Sequence, residues 1–398
     1  MKTPEGSRTI VVLGGAILYC TGGVVFFIIP TFLGDIGQIY KVSSADLGVL
    51  SAAELWAIAF ASLAGPFWIN RVDWRVLARV GALISLVGQF ASLLVRDFNL
   101  LLLVRTFTGA FGEGLLLALS YSLLGQTRNV ERSFGIAYGA SVIISMICLY
   151  TSPQLDRIAG TISVLIVIAA LSAAAFFVSF LIPVGATEST EVAHGQEQVE
   201  STGWRSLGAL ALLTQALWYA GAGGFWAFTE QLATDKAVPA GEIATAIAIG
   251  TGAALLGTLL AVGLSRRFGR VWPTAASILV TSAAVFAYVH SSSFSEIAVE
   301  LAIFNACWAS GTIYMTATAC ASDASGKVAV LVPAFQTIGM ASGTFVLGHV
   351  IEGLGVGATP WLVSCFLAAA LLLVLVCGNA ERRRLVATTA GQAAAHPI

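Results

Sequence analysis

The stretch LLLLVRTFTGAFGEGLLLALSYSLL, Leu100 to Leu124, decides the fold. As a helix rising 1.5 Å per residue it is about 37 Å long, enough to cross the hydrocarbon core of a bilayer. It is apolar except for two charges, Arg105 and Glu113. A charge at the centre of a membrane helix costs roughly 2.5–3.5 kcal/mol on insertion scales, so it faces protein or a water-filled cavity. Successive helical residues turn by about 100°, which puts Arg105, Gly109, Gly112 and Glu113 within one quadrant. Two readings follow: a static ion pair that holds helices together, or part of a substrate or proton pathway. Intramembrane charges concentrate in pathways and relays, which favours the second.

The rest of the chain extends the pattern. Of 398 residues, 57% are hydrophobic and 10% charged, against about 25% charged in a soluble domain. The class is a polytopic, all-α membrane protein. A net charge of −1 points to no nucleic acid. The six cysteines are scattered without a CxxC, and the four histidines show no ligand spacing, so no metal or cofactor is expected. Ile10 to Leu33 is too long for the apolar core of a cleavable signal and lacks an A-x-A site.

Twelve spans are expected, near 10–33, 45–68, 76–95, 100–124, 133–152, 161–183, 206–232, 242–264, 272–290, 296–321, 328–351 and 358–377. With the N-terminus inside, fifteen of the 20 basic residues fall in cytoplasmic segments and four in outer loops; Arg105 is intramembrane. This bias places both termini in the cytoplasm. The chain also repeats itself. VSSADLG at Val42–Gly48 and VPAGEIA at Val238–Ala244 each precede a span, with Asp46 and Glu242 offset by 196 residues. The same offset relates Asn70-Arg71 to Arg266-Arg267. An offset near half the chain implies two six-helix bundles of like orientation, residues 1–183 and 206–380. They are joined by a polar linker, 184–205, and followed by a cytoplasmic tail, 381–398, expected to be disordered after Arg384.

Two parallel six-helix repeats resemble the major facilitator superfamily. The loop GPFWINRVDWR places Asn70 and Arg71 at the D-R positions of the family's loop signature, and GLSRRFGRV keeps Arg267, Gly269 and Arg270. Arg105 and Gly109 match the family's R-x-x-x-G motif in the fourth span, whereas the fifth lacks the antiporter signature G-x-x-x-G-P-x-x-G-G. The resemblance implies twelve helices in two bundles related by a pseudo-two-fold axis along the membrane normal. It further implies secondary transport by alternating access, tilted toward uptake, with Asn70, Arg71, Arg75, Arg266, Arg267 and Arg270 in gating loops.

Candidate site residues follow from charge and aromatic placement. Glu54 enters about 12 Å from the outer side and Arg105 about 8 Å, so the two can meet; Glu113 lies about 12 Å deeper than Arg105. Glu54, Glu113 and Glu230 are the candidate proton carriers. Arg105 can grip a carboxylate through paired N–H donors. Phe27, Trp218, Phe225, Trp226, Asn305, Trp308 and Tyr314 are candidates to hold an apolar or aromatic body. Gln89, Gln215 and Gln336 read as interhelical glue, and Gly339-x-x-x-Gly343 as a close helix contact. GTGAALLG, Gly250–Gly257, lies in an apolar span with no preceding strand and is no nucleotide loop. The expected function is proton-coupled transport of a small amphipathic or aromatic organic anion by a monomer in a bacterial inner membrane. Alternatives are efflux by proton antiport and, from another class, an intramembrane enzyme or a sensor. No HExxH or GxSxG motif and no large soluble domain supports the last two.

Overall fold

The computed structural model describes residues 5–68, 71–125, 127, 130–159, 162–182, 202–234, 236, 238–321 and 327–395. These fold into fourteen helices: α1 Glu5–Gly23, α2 Val25–Tyr40, α3 Ser44–Trp68, α4 Trp74–Leu94, α5 Phe98–Thr108, α6 Gly114–Gly125, α7 Val130–Ala159, α8 Ser163–Val178, α9 Thr202–Ala233, α10 Ala240–Phe268, α11 Val271–His290, α12 Phe294–Ala321, α13 Lys327–Leu354 and α14 Thr359–Ala395. Among the described residues, ten segments are long and apolar enough to cross a membrane. Helix α8 is apolar but has only 16 residues, about 24 Å, short of a ~30 Å hydrocarbon core. In α9 the apolar run is diluted by Gln215, Trp218, Tyr219 and three glycines. Large apolar side chains such as Leu103, Phe90 and Leu259 stand exposed at 67%, 53% and 69%. In an integral membrane protein they face lipid, which replaces water as solvent.

Two boundaries differ from expectation. The first span does not end at Leu33. It breaks at Val24 and continues as α2 to Tyr40, where Lys41 takes a left-handed cap (φ 53°) and donates to the Gly37 carbonyl. A charge, Asp35, ended the hydropathy pattern but not the helix. At the C-terminal end α14 runs to Ala395, so the tail expected to be disordered is helical that far. Most of the linker lies outside the described residues.

The first eight helices pack among themselves, α1 on α6 and α4 on α8; in the last six, α10 lies on α12 and α9 on α13 and α14. Small residues set these distances. Gly339 and Gly343 leave no room for a Cβ against the Ala216 and Ala220 carbonyls of α9. Gly250 lies against Leu301 and Gly257 against Ala306, both of α12, so the GTGAALLG run is a packing face. The two sets meet along a seam made chiefly by α3 on α13, α7 on α10 and α2 on α9. Several of its contacts lie at the end of the molecule remote from the chain termini, here called the distal end. There the Ala45 N–H donates to Glu352 at 3.0 Å, Gln231 donates to Ser44 at 2.7 Å, and Gly48 packs on Thr344 and Gly348.

Candidate functional site

The fourth expected span is three pieces. Between α5 and α6, Gly109–Glu113 forms a π turn, a widening of the helix often found at functional sites. The glycines fit it between neighbours. A Cβ on Gly109 would lie 2.8 Å from the Glu54 carbonyl of α3, and one on Gly112 would lie 2.9 Å from the Ser85 nitrogen of α4. Helices α3 and α4 therefore close on the turn from two sides.

Arg105 occupies the space so made and is 0% exposed. Its Nε donates to Glu54 Oε2 at 3.0 Å, and its Nη2 donates to Glu54 Oε1, a two-pronged pairing. Nη2 also reaches Glu113 Oε1 at 3.3 Å, and Nη1 donates to Gln89 Oε1 at 2.7 Å. The Gln89 amide then donates to Glu113 Oε1 at 3.0 Å. Glu54 is 2% exposed and Glu113 and Gln89 are 0%. The sequence-predicted trio is thus brought together, with Gln89 as a fourth member rather than mere glue. Two carboxylates serve one guanidinium. Glu113 Oε2 is buried and has no hydrogen-bond partner, and the Glu54 and Glu113 carboxyls lie within hydrogen-bond reach of each other. A contact between carboxyl groups is repulsive unless a proton lies between them. Arg105 has no free face turned to a solute in this conformation.

The aromatic candidates divide. Trp218, Phe225 and Trp226 are 0–1% exposed and form helix-packing core. Trp218 Nε1 donates to Thr312 at 3.1 Å, and Phe225 packs edge-on against Tyr288 and Phe304. Trp226 reaches across the seam to α2. Asn305 turns back on its own helix, donating to the Leu301 carbonyl at 3.0 Å, and Tyr314 is 3% exposed. Phe27 and Trp308 remain partly open. Phe27 packs on Tyr138 at 5.7 Å and Trp308 on Tyr219 at 5.6 Å. Those tyrosines belong to a group that sequence reading missed. The phenols of Tyr19, Tyr121, Tyr138 and Tyr219 come from α1, α6, α7 and α9 and are near enough to interact. All four are partly exposed in mid-helix, and with three from the first helix set and Tyr219 from the second the group bridges the two sets. A tyrosine belongs where one end is apolar and the other wet.

Glu230 does not join Arg105. It lies in the distal seam, its Oε1 against Gly34 of α2, with Asp35 close by. Lys236, six residues on from Glu230, donates to the carbonyls of Tyr288, Val289 and Ser291 at 2.7–3.2 Å, capping the end of α11. Burial holds its ammonium below the usual lysine range.

Of the loop candidates, Arg75 Nε donates to the Ile182 carbonyl past the end of α8 at 2.6 Å, and Arg270 Nη1 to Ala317 near the end of α12 at 3.1 Å. Cations at helix C-termini are favourable. Arg71 is exposed. Asn70 and the side chains of Arg266 and Arg267 lie outside the described residues.

Comparison with known proteins agrees with this architecture. No curated protein matches the sequence. Solved structures do. A peptide transporter of the POT family in an auto-inhibited form superposes with TM-score 0.71 at 14% identity, covering 95% of this chain and 97% of its own. The nucleoside transporter NupG gives 0.68 at 13%, covering 94% and 99%. A bacterial homolog of the human lysosomal transporter Spinster, inward-facing and occupied, gives 0.68 at 13%, covering 95% and 98%. At such identity the likeness establishes the fold alone. The family model of the Major Facilitator Superfamily matches residues 11–327, most of the chain, and with the apolar helices and the helix-on-helix seam already described, the protein belongs to that family of membrane transporters.

Proposed function

We propose that the protein is a proton-coupled secondary transporter that moves an aromatic-bodied small solute by alternating access between two six-helix bundles. The observation that carries this is the fully buried set of Arg105, Glu54, Glu113 and Gln89, in which two carboxylates share one guanidinium. Ionised throughout, it would hold an uncompensated negative charge in the least polar part of the protein, which is costly. One proton removes that charge. Glu54 takes both prongs of Arg105, so Glu113, with a free buried oxygen, is the carboxylate that loads. Protonation weakens its hold on the arginine, and the π turn lets that change bend the helix that carries Tyr121 into the central space.

The twelve-span, two-bundle reading is supported by the seam itself. An exchange of halves turns the pair of second and eleventh spans, α3 and α13, into the eighth and fifth, α10 and α7; these are the two long contacts of the seam. Asp46 and Glu242 both sit in the first turn of the helices so related. Closure at the distal end, taken with cytoplasmic termini in a bacterial inner membrane, makes this an inward-facing state. The solute would rest among Tyr19, Tyr121, Tyr138, Tyr219, Phe27 and Trp308, where rings stack and phenols hydrogen-bond. Because Arg105 is enclosed, an uncharged solute suits this lining as well as an anion. The nucleoside and peptide transporters among the similar structures make those solute classes natural first trials.

The test is a thermal-shift screen with nucleosides, dipeptides, aromatic carboxylates and cationic dyes, followed by uptake of the stabilising compound into proteoliposomes. Accumulation that requires a pH gradient is expected. Uptake indifferent to the gradient would overturn proton coupling, and absence of binding by every class would overturn the solute assignment.

A further inference from the structure

We infer that Asp35 and Glu230 form a second proton-binding site, set in the distal seam, where a proton on either acid holds the seam shut and its release opens it. The inference goes beyond the Arg105 network and rests on the transporter reading only in calling the seam a gate.

Asp35 lies on α2 and Glu230 on α9, the two helices that meet at this end of the seam. Glu230 Oε1 sits against Gly34, one residue from Asp35. Both acids keep a carboxyl oxygen that is shut off from solvent and has no hydrogen-bond partner, Asp35 Oδ2 and Glu230 Oε2. Thr31, one helical turn before Asp35, is 3% exposed, and its hydroxyl faces Glu230 within hydrogen-bond reach. Two unpartnered carboxyl oxygens therefore lie where two helices from different parts of the chain touch. A proton on either acid removes the charge repulsion between them. It is also the ligand that fits, since no group of described residues has the ligand set for a metal ion.

The surroundings supply no cation. Among the described residues, Glu230 acts on Asp35, and Asp156 of α7 acts on both. Asp156 is itself satisfied by the Ser163 N–H at 2.6 Å and the Ser152 hydroxyl at 2.9 Å. Cys148 of α7 lies near Asp35 and is neutral as a thiol. From α11, Tyr288 faces Glu230 but spends its hydroxyl on the Thr229 carbonyl at 2.6 Å. On α12, Glu300 interacts with Tyr288 and Lys236, and Glu296 caps Ser292 and Ser293. Lys236 is held by three carbonyls. Asp46 of α3 binds Ser43, and Glu352 of α13 binds Ala45; His349 turns back on Phe345. Helix α8 brings no titratable group.

Opening the seam separates α2 from α9 and hydrates both acids. The closed state thus binds one proton more than the open state over the pH range in which the pair holds a single proton. Closure is then favoured at low pH and lost as pH rises, the open-to-closed ratio climbing by about tenfold per pH unit. The experiment is a spin-label distance between Gln38→Cys and Thr234→Cys, both exposed at the distal end, in full-length protein with its native cysteines replaced and reconstituted in liposomes. No solute is needed, so the result is independent of whether transport has been found. The expected result is a short distance at low pH that gives way to a longer one as pH rises. Asp35→Asn with Glu230→Gln should lose that dependence and stay short, because amides hydrogen-bond without titrating. Three outcomes overturn the proposal: a distance that ignores pH, an unchanged pH response in the double variant, or a response that follows sodium at constant pH. Glu113→Gln is the control; if it alone abolishes the response, the switch belongs to the Arg105 network and the distal pair is structural.

Discussion

The indole N–H of Trp226 donates to the backbone carbonyl of Phe26 at 3.1 Å, joining α9 to α2 across the seam. That carbonyl is free because the residue four places on is Pro30, inside α2, and proline has no N–H to complete the helical ladder. A defect in one helix is the attachment point for another. Trp226→Phe should leave the carbonyl buried and unpaired, at a cost of about 1–3 kcal/mol to the closed seam. The Gln38–Thr234 spin-label distance should then show a larger open population. Adding Pro30→Ala restores an N–H within α2 and should recover part of the closure.

Gly112 makes a second prediction. A methyl group there meets the Ser85 backbone at 2.9–3.0 Å, and backbone cannot step aside as a side chain can. Gly112→Ala should lower the melting temperature in detergent, with overpacking costing about 1–3 kcal/mol. Gly135, with open space around it, is the matched control, and Gly135→Ala should melt like the parent protein.

Arg105 makes a third. Arg105→Ala would strand Glu54 and Glu113 together, a loss on the order of 3–5 kcal/mol for a buried pair broken from one side. Adding Glu54→Gln should restore much of the stability without restoring coupled transport. Arg105→Lys keeps a charge but loses the fork that holds both oxygens of Glu54, and should fall between the parent and Arg105→Ala. Thermal unfolding of the four proteins in one detergent decides the order.

Much of this site is legible in the residues themselves. Arg105 and Glu113 share a helical face by spacing alone, and Glu54 enters the membrane at a matching depth. Helical periodicity and hydropathy carry that information because it is local. Gln89 was visible as an intramembrane amide, but its place between Arg105 and Glu113 depends on how α4 packs. The π turn at Gly109–Glu113 left only a cluster of glycines as its signal. Asp35 lies beyond the expected end of the first span at Leu33, and Glu230, across the seam, lies 195 residues away in sequence. The aromatic run of α9 was read as cavity lining, yet Trp218, Phe225 and Trp226 are core. Composition cannot distinguish a ring that packs from a ring that faces water. The tyrosines that line the centre sit singly on four helices, so no local pattern links them.

Arg75 gives a fourth prediction. Its bond to the Ile182 carbonyl ties α4 to the end of α8. Arg75→Ala should insert with unchanged topology, since other basic residues mark that side, and lose roughly 1–3 kcal/mol for a charge-assisted hydrogen bond. Accessibility labelling of the loops together with a melting curve separates the two roles.

The central claim is that Glu113 carries a proton beside Arg105 and that this proton is what couples transport. Infrared difference spectra of the reconstituted protein, recorded across a pH titration, test it without any solute. The account predicts a protonated-carboxyl C=O band that disappears as pH rises, that is absent in Glu113→Gln, that is lost or moves to lower pH in Glu54→Gln, where Arg105 is left to pair with Glu113 alone, and that persists in Asp35→Asn with Glu230→Gln. A spectrum in which Glu113→Gln leaves every such band in place would contradict it.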